Sequence, residues 1–331
     1  MKIGKVDSEL LEKIVFQNIR FQRPEVVTRP GIGEDCAVVD FGSYDCVLST
    51  DPITGAVGDI GRLAVHISCN DIASNGIEPL GIMLACMLPP ETTEEELEVM
   101  MKQAGEAAEK LGVEIIGGHT EVTAAVNQPV IVSTALGRAI KGTSQNAEDI
   151  RPGDYVLLTK TAGLEGTGIL VCDHEKKLEN ILSPEELAEG KAMLDQVSVV
   201  MEGVAAGKVG TAGMHDVTEG GVLGAVWEMC EIANAGVEIF FEEIPVSPVT
   251  EKVCAHFGID WLRLISSGCM MIMAHPEQKE ALMEAIAARG VPVNCIGRVT
   301  GPEKGRVLIR KGISSVIAPP QSDELYKVVF S

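Results

Sequence analysis

The chain has 331 residues, 46% of them apolar and only 4% aromatic, which points to two aliphatic cores rather than one. Its formal net charge of −21 at pH 7 repels phosphate backbones and anionic lipid, so it argues against nucleic-acid and membrane partners and suits a protein that holds divalent cations. Nine cysteines with no CxxC pair fit reduced thiols in a cytoplasmic protein, and no apolar run approaches the roughly 18–20 residues that span a bilayer.

In chain order, Ser8 to about Arg20 reads as a helix capped by Asp7 or Ser8, with Leu10, Leu11, Ile14 and Val15 on one side. A stretch punctuated by Gly and Pro, Arg29 to Asp35, leads into two short β-prone runs, Cys36–Val39 and Cys46–Ser49. Asp59 is placed to cap a helix running to about Asn75, with Leu63, Ile67, Asn70, Asp71 and Ser74 sharing a face. Ile82–Leu88 reads as a strand. Thr93 and Glu96 form a capping box for a helix that ends at Gly112. Val113–Ile116 and Val130–Ala139 read as further strands. The polar segment Gln145–Pro152 is the expected boundary, dividing the chain into domains 1–150 and 151–331. Beyond it, Tyr155–Thr159 reads as a strand followed by a glycine-rich loop, Gly163 to Gly168. Helices are expected from Ser183-Pro184, after Thr218 and from Pro276, with strands near Val237–Phe241, Cys269–Ala274 and Arg306–Ile309. The alternation predicts an α/β or α+β protein of two lobes.

Four carboxylates stand where strands end or helices turn inward: Asp35 after two glycines, Asp51 in Ser49-Thr50-Asp51, Asp71 in Asn70-Asp71, and Asp216 in His215-Asp216. Each alone reads equally as a cap or a solvated turn. Converging, they would repel one another unless a cation such as Mg²⁺ neutralised them, and that cation would suit a triphosphate. Gly163, Gly166 and Gly168 fit either a phosphate cradle at a helix start or a tight strand-to-helix turn, and no Gly-Lys-Ser/Thr makes them a P-loop. His119, in Gly117-Gly118-His119-Thr120, could bind phosphate or metal or be an ordinary turn histidine. His66 and His215 have the same standing.

Taken in this order, the motifs resemble the AIR synthase-related superfamily, which includes the purine-pathway cyclo-ligase, thiamine-monophosphate kinase, selenophosphate synthetase and HypE. The run from Gly31 to Val38 is similar to its GxGDDAAV segment, and Asn70 to Gly76 to its N-D-[LI]-A-x-x-G. Gly117 to Thr120 resembles G-G-[DEH]-[TS], and Asp216 to Gly221 resembles D-x-T-[RE]-G-G. Gly58 to Val65 looks most like the HypE branch.

The resemblance implies a two-domain fold, a homodimer whose N-terminal sheets pair into a barrel, and ATP with Mg²⁺ near that interface. It makes Asp35, Asp51, Asp71 and Asp216 the metal residues. From their own positions, Asn70, His119, Gly163, Gly166 and Gly168 are expected with them on the nucleotide side, and the Gly4-Lys5 pair offers Lys5 as a weaker phosphate contact, with a flexible surface lysine as the plainer reading. It further implies a small-molecule or carrier-bound substrate, activated by the ATP phosphate, and other maturation proteins as partners. HypE carries its substrate on a C-terminal cysteine, whereas the last cysteine here is Cys295 and the sequence ends Val329-Phe330-Ser331. The expectation is therefore a HypE-like enzyme without that acceptor. A non-catalytic ATP-binding assembly partner and a thiamine-monophosphate kinase-type phosphotransferase remain alternatives.

Overall fold

A computed structural model describes residue 6 and residues 10–55, 57–145 and 147–329. Lys5 and the caps Asp7 and Ser8 lie outside them. The helix expected after Ser8 is reduced to a π turn, Leu11–Val15, and a 3-10 turn, Phe16–Asn18, neither of which buries a residue. Among its described apolar residues, Leu10, Ile14 and Val15 are exposed, and Leu11 borders the turn that carries Asp35.

Two mixed sheets organise the rest. The first has six strands in the order Val26–Thr28, Ala37–Asp40, Tyr44–Ile53, Val130–Ile140, Pro79–Leu88 and Glu114–Val122. Its spine is the antiparallel pairing of Tyr44–Ile53 with Val130–Ile140, continuous from Tyr44↔Ile140 to Ile53↔Ile131. The second has seven strands in the order Ile313–Val316, Arg306–Arg310, Gly236–Phe240, Val293–Thr300, Tyr155–Thr159, Met270–Ala274 and Gly213–Asp216. All strands of the first sheet precede those of the second in the chain, as an α/β protein of two lobes requires.

The helix Ile60–Ser74 links the two lobes. All of its residues except Arg62 and Ile67 are buried. It packs on the first sheet, on the helix Glu94–Leu111 and on the helix Val200–Val209 of the second lobe. Asp59 at its start makes no capping bond and instead pairs with Arg62 at 2.8 Å. The helix Glu94–Leu111 is bounded as its sequence dictates. Thr93 accepts from the Glu96 N–H at 3.2 Å, Glu96 accepts from the Thr93 N–H at 2.8 Å, and Gly112 takes the left-handed conformation that ends it.

The Gly163–Gly168 segment differs from expectation. Gly166 and Gly168 lie inside the buried helix Leu164–Asp173, not in a loop. A Cβ at Gly166 would come within 2.5 Å of Leu264, and one at Gly168 within 2.6 Å of Leu194. These glycines are explained by close packing of side chains against the helix.

Where the lobes meet, the helix Val200–Val209 lies directly on Gly76. A Cβ at Gly207 would stand 2.4 Å from both the Cα and the carbonyl oxygen of Gly76, atoms of the main chain that cannot swing aside. Gly207→Ala is expected to destabilise the protein by about 1–3 kcal/mol, the usual cost of overpacking. Urea denaturation measures it, and an unchanged midpoint would show that the lobes do not meet this closely.

Candidate functional site

The acidic residues converge at the junction of the lobes, each delivered by a different element. Asp35 follows Gly33, whose positive φ of 75° brings the turn so close to the helix Gly221–Ile232 that a Cβ there would lie 2.7 Å from Ile232. Asp51 sits two residues beyond Ser49 in Tyr44–Ile53, and the period of two puts both on one face. Asp71 and Ser74 lie one turn apart on Ile60–Ser74. Asp216 closes the strand Gly213–Asp216 of the second lobe.

Hydrogen bonds tie the group together. The Ser49 hydroxyl donates to Asp71 and lies 3.5 Å from Asp51. Ser74 Oγ is 2.9 Å from Asp35 Oδ2 and 2.7 Å from the Asp71 carbonyl oxygen. His215 Nδ1 stands 3.1 Å from Asp35 and 3.7 Å from Asp216, while its Nε2 is 3.0 Å from Glu228. A cavity of about 100 Å³ opens beside Asp35 and Glu228, lined also by Gly31, Gly33 and Glu34. That volume suits an ion and a few waters, well short of the several hundred Å³ of a nucleotide site.

The electrostatics show what this assembly costs. Burial, then the charges of Asp216, Asp51 and Asp35, hold the Asp71 carboxyl well above the usual carboxylate range. Burial pushes Asp216 up to about 6 despite the neighbouring His215. Burial alone would lower His215, but Asp35, Asp216 and Glu228 more than reverse that and hold it well above its ordinary value. Asp216 is 1% exposed, and its Oδ2 has no hydrogen-bond partner among the described residues. An orphaned buried carboxylate oxygen amid other carboxylates is an oxygen-rich donor set suited to a divalent cation, so the residues present fit the ion that the sequence implied.

Other expected site residues fall elsewhere. Both ends of the Asn70 amide are occupied in bridging the lobes: its Nδ2 donates to the Val197 carbonyl at 2.8 Å and its Oδ1 accepts from the Val199 N–H at 2.9 Å. Asn70 is therefore an interlobe clamp. His119 lies on the edge strand Glu114–Val122, 70% exposed and 3.1 Å from Glu121. The register Asp51↔Ser133, Ser133↔Leu84 and Leu84↔Gly118 puts its strand three spacings from Asp51, roughly 14 Å. One chain does not bring His119 to the aspartates. At Gly163 the N–H donates to Ser266 Oγ at 2.7 Å, and at Gly166 to the Ile265 carbonyl at 3.0 Å, so these amides are not available to phosphate.

Sequence reasoning missed Glu228, Ser49 and the full role of His215. Glu228 looks like one more residue of an apolar helix. Only the return of that helix to the end of its own strand sets it against His215. Ser49 was signalled by its two-residue spacing from Asp51.

Asp216 and His215 both bind protons more tightly folded than unfolded. Their contribution to stability is therefore present at low pH and lost as pH rises, through about 6 for Asp216 and higher for His215. The thermal midpoint of metal-free protein is expected to fall from about pH 5 to about pH 8, and saturating Mg²⁺ should offset much of the fall. Identical pH profiles with and without Mg²⁺ would contradict the fit of a divalent ion.

Comparison with known proteins agrees with this architecture. The chain matches the AIR synthase related protein N-terminal domain over residues 33–139 and the C-terminal domain over residues 151–310. It is 28% identical to a hydrogenase expression/formation protein of Methanocaldococcus jannaschii, over 92% of this chain and 91% of that one. It is 30% identical to the carbamoyl dehydratase HypE of Bradyrhizobium diazoefficiens, over 77% of this chain and 74% of that one. Among solved structures, HypE in a HypE–HypF complex superposes with a TM-score of 0.78 at 24% identity, covering 94% and 99% of the two chains. HypE in complex with ATP gives 0.74 at 23%, covering 97% of each. The chain belongs to the AIR synthase related family, in its HypE-like hydrogenase expression/formation group.

Proposed function

We propose that this protein is a HypE-like, ATP-dependent enzyme of hydrogenase or metal-centre maturation, in which Asp35, Asp51, Asp71 and Asp216 hold Mg²⁺ and the phosphates. The observation that carries the reading is the buried carboxylate group with the orphaned Asp216 oxygen, drawn from both lobes. A HypE relative has been solved with ATP, which supports the nucleotide. When bound, ATP supplies a phosphoryl group that turns an amide-type oxygen of the substrate into a leaving group. The chain's own contribution is to position the carboxylates and, through the Asn70 bridge, to keep the two lobes in register.

The nucleotide needs more room than the cavity beside Asp35, and we place the remainder at a homodimer interface. Leu80, Met83, Ile116 and Val122 of the first sheet are large apolar residues that remain exposed, and a second copy would cover them. The HypE–HypF complex supports other maturation proteins as partners. The substrate in this reading is a small molecule or is presented on a separate carrier. Cys295 itself is held in the strand Val293–Thr300 opposite Leu157.

Asp71→Asn is expected to weaken Mg²⁺-dependent binding of a non-hydrolysable ATP analogue at least about tenfold, or about 1.4 kcal/mol, by calorimetry. Unchanged affinity would count against the site. Hydrolysis of ATP by the wild-type protein with its maturation partners is the expected companion result. Tight binding with no turnover would make it a non-catalytic assembly partner instead.

A further inference from the structure

The carboxylates account for an all-oxygen cation site, but a nitrogen stands among them. His215 Nδ1, one carboxylate oxygen of Asp35 and one of Asp216 all lie within 4.8 Å of one another. The Nδ1–Asp35 separation of 3.1 Å falls within the spacing of adjacent ligands around one small ion, about 3.0–3.4 Å for bonds near 2.1 Å, and the Nδ1–Asp216 separation of 3.7 Å lies a few tenths of an ångström beyond it. Behind the ring, Glu228 faces Nε2 at 3.0 Å, the place where a carboxylate fixes the tautomer of a metal-binding histidine and leaves Nδ1 to the metal.

A plain ion-pair clamp accounts for less. It would engage Asp35 and Glu228, leave Asp216 at 3.7 Å from the ring and give the buried Asp216 Oδ2 no partner. An ion seated among the three residues can engage all of them.

We propose that His215 is a metal ligand, so that Asp35, His215 and Asp216 form a mixed nitrogen–oxygen site for a first-row transition ion such as Mn²⁺, Fe²⁺, Co²⁺ or Zn²⁺, with Glu228 as the positioning residue behind the imidazole. The inference rests on the reading that these aspartates hold a divalent ion; it adds His215 as a ligand and puts a transition ion in the place which that reading gives to Mg²⁺. Mg²⁺ takes oxygen ligands and keeps its waters, whereas imidazole favours the transition ions. The site therefore discriminates among divalent ions through one side chain.

Mn²⁺ bound to the full-length protein tests the assignment, because electron spin-echo modulation detects a directly coordinated ¹⁴N. The expected result is one bound Mn²⁺ with ¹⁴N modulation that changes when histidine is ¹⁵N-labelled. His215→Gln should abolish the modulation and weaken Mn²⁺ binding at least about tenfold while changing Mg²⁺ affinity less. Glu228→Gln should keep the nitrogen signal and weaken Mn²⁺ about 10–100-fold. Circular dichroism checks that each variant folds. Should His215→Gln fail to fold, the labelled wild-type spectrum and Glu228→Gln still decide the matter. Bound Mn²⁺ without nitrogen modulation would overturn the histidine ligand and leave the carboxylate site standing. No bound Mn²⁺ at all would overturn both.

Discussion

Like charges forced together away from water constrain the rest of this protein. Asp71 and Asp216 are almost fully buried and feel Asp35 and Asp51 at short range, so the group is stable only with protons or a cation among them. No element supplies two of these four carboxylates. Two come from the first sheet and the turn leading into it, one from the helix between the lobes and one from the end of a strand in the second sheet. The site therefore exists only while both lobes are docked, and the docking is built tightly. The Asn70 bridge and the contact between Gly76 and Gly207 leave no space for a sliding interface.

A second ring of acidic groups lies behind the first. Glu165 is buried and pushed up to about 7 by that burial, and Asp323 is raised to about 6 for the same reason. Asp323 accepts from the N–H groups of Gly220 at 2.7 Å, Ile265 at 3.2 Å and Leu325 at 2.8 Å. It thereby fastens the segment after Pro320 to the turn that follows Asp216.

Much of the architecture was legible because the local signals were strong. The capping boxes at Thr93 and Ser183 began the helices Glu94–Leu111 and Pro184–Ala192 where the sequence said they would. Spacing along a strand or a helix explained why Ser49 accompanies Asp51 and Ser74 accompanies Asp71. Signals that depend on tertiary context read less well. The three glycines between Gly163 and Gly168 look the same whether a phosphate or Leu264 and Leu194 must approach them, and only the fold selects the leucines. Asn70 looks like a ligand because it precedes Asp71, yet the lobe opposite claims both ends of its amide. The Glu228–His215 pair joins a helix to a strand, a contact no local pattern encodes.

Anomalous diffraction from crystals of the protein grown with Mn²⁺ and an ATP analogue tests the central claim most directly. An anomalous peak among the carboxylates of Asp35, Asp51, Asp71 and Asp216, within about 2.3 Å of their oxygens, is the predicted result. Ordered aspartates around a site with no anomalous density, at saturating Mn²⁺, would contradict it.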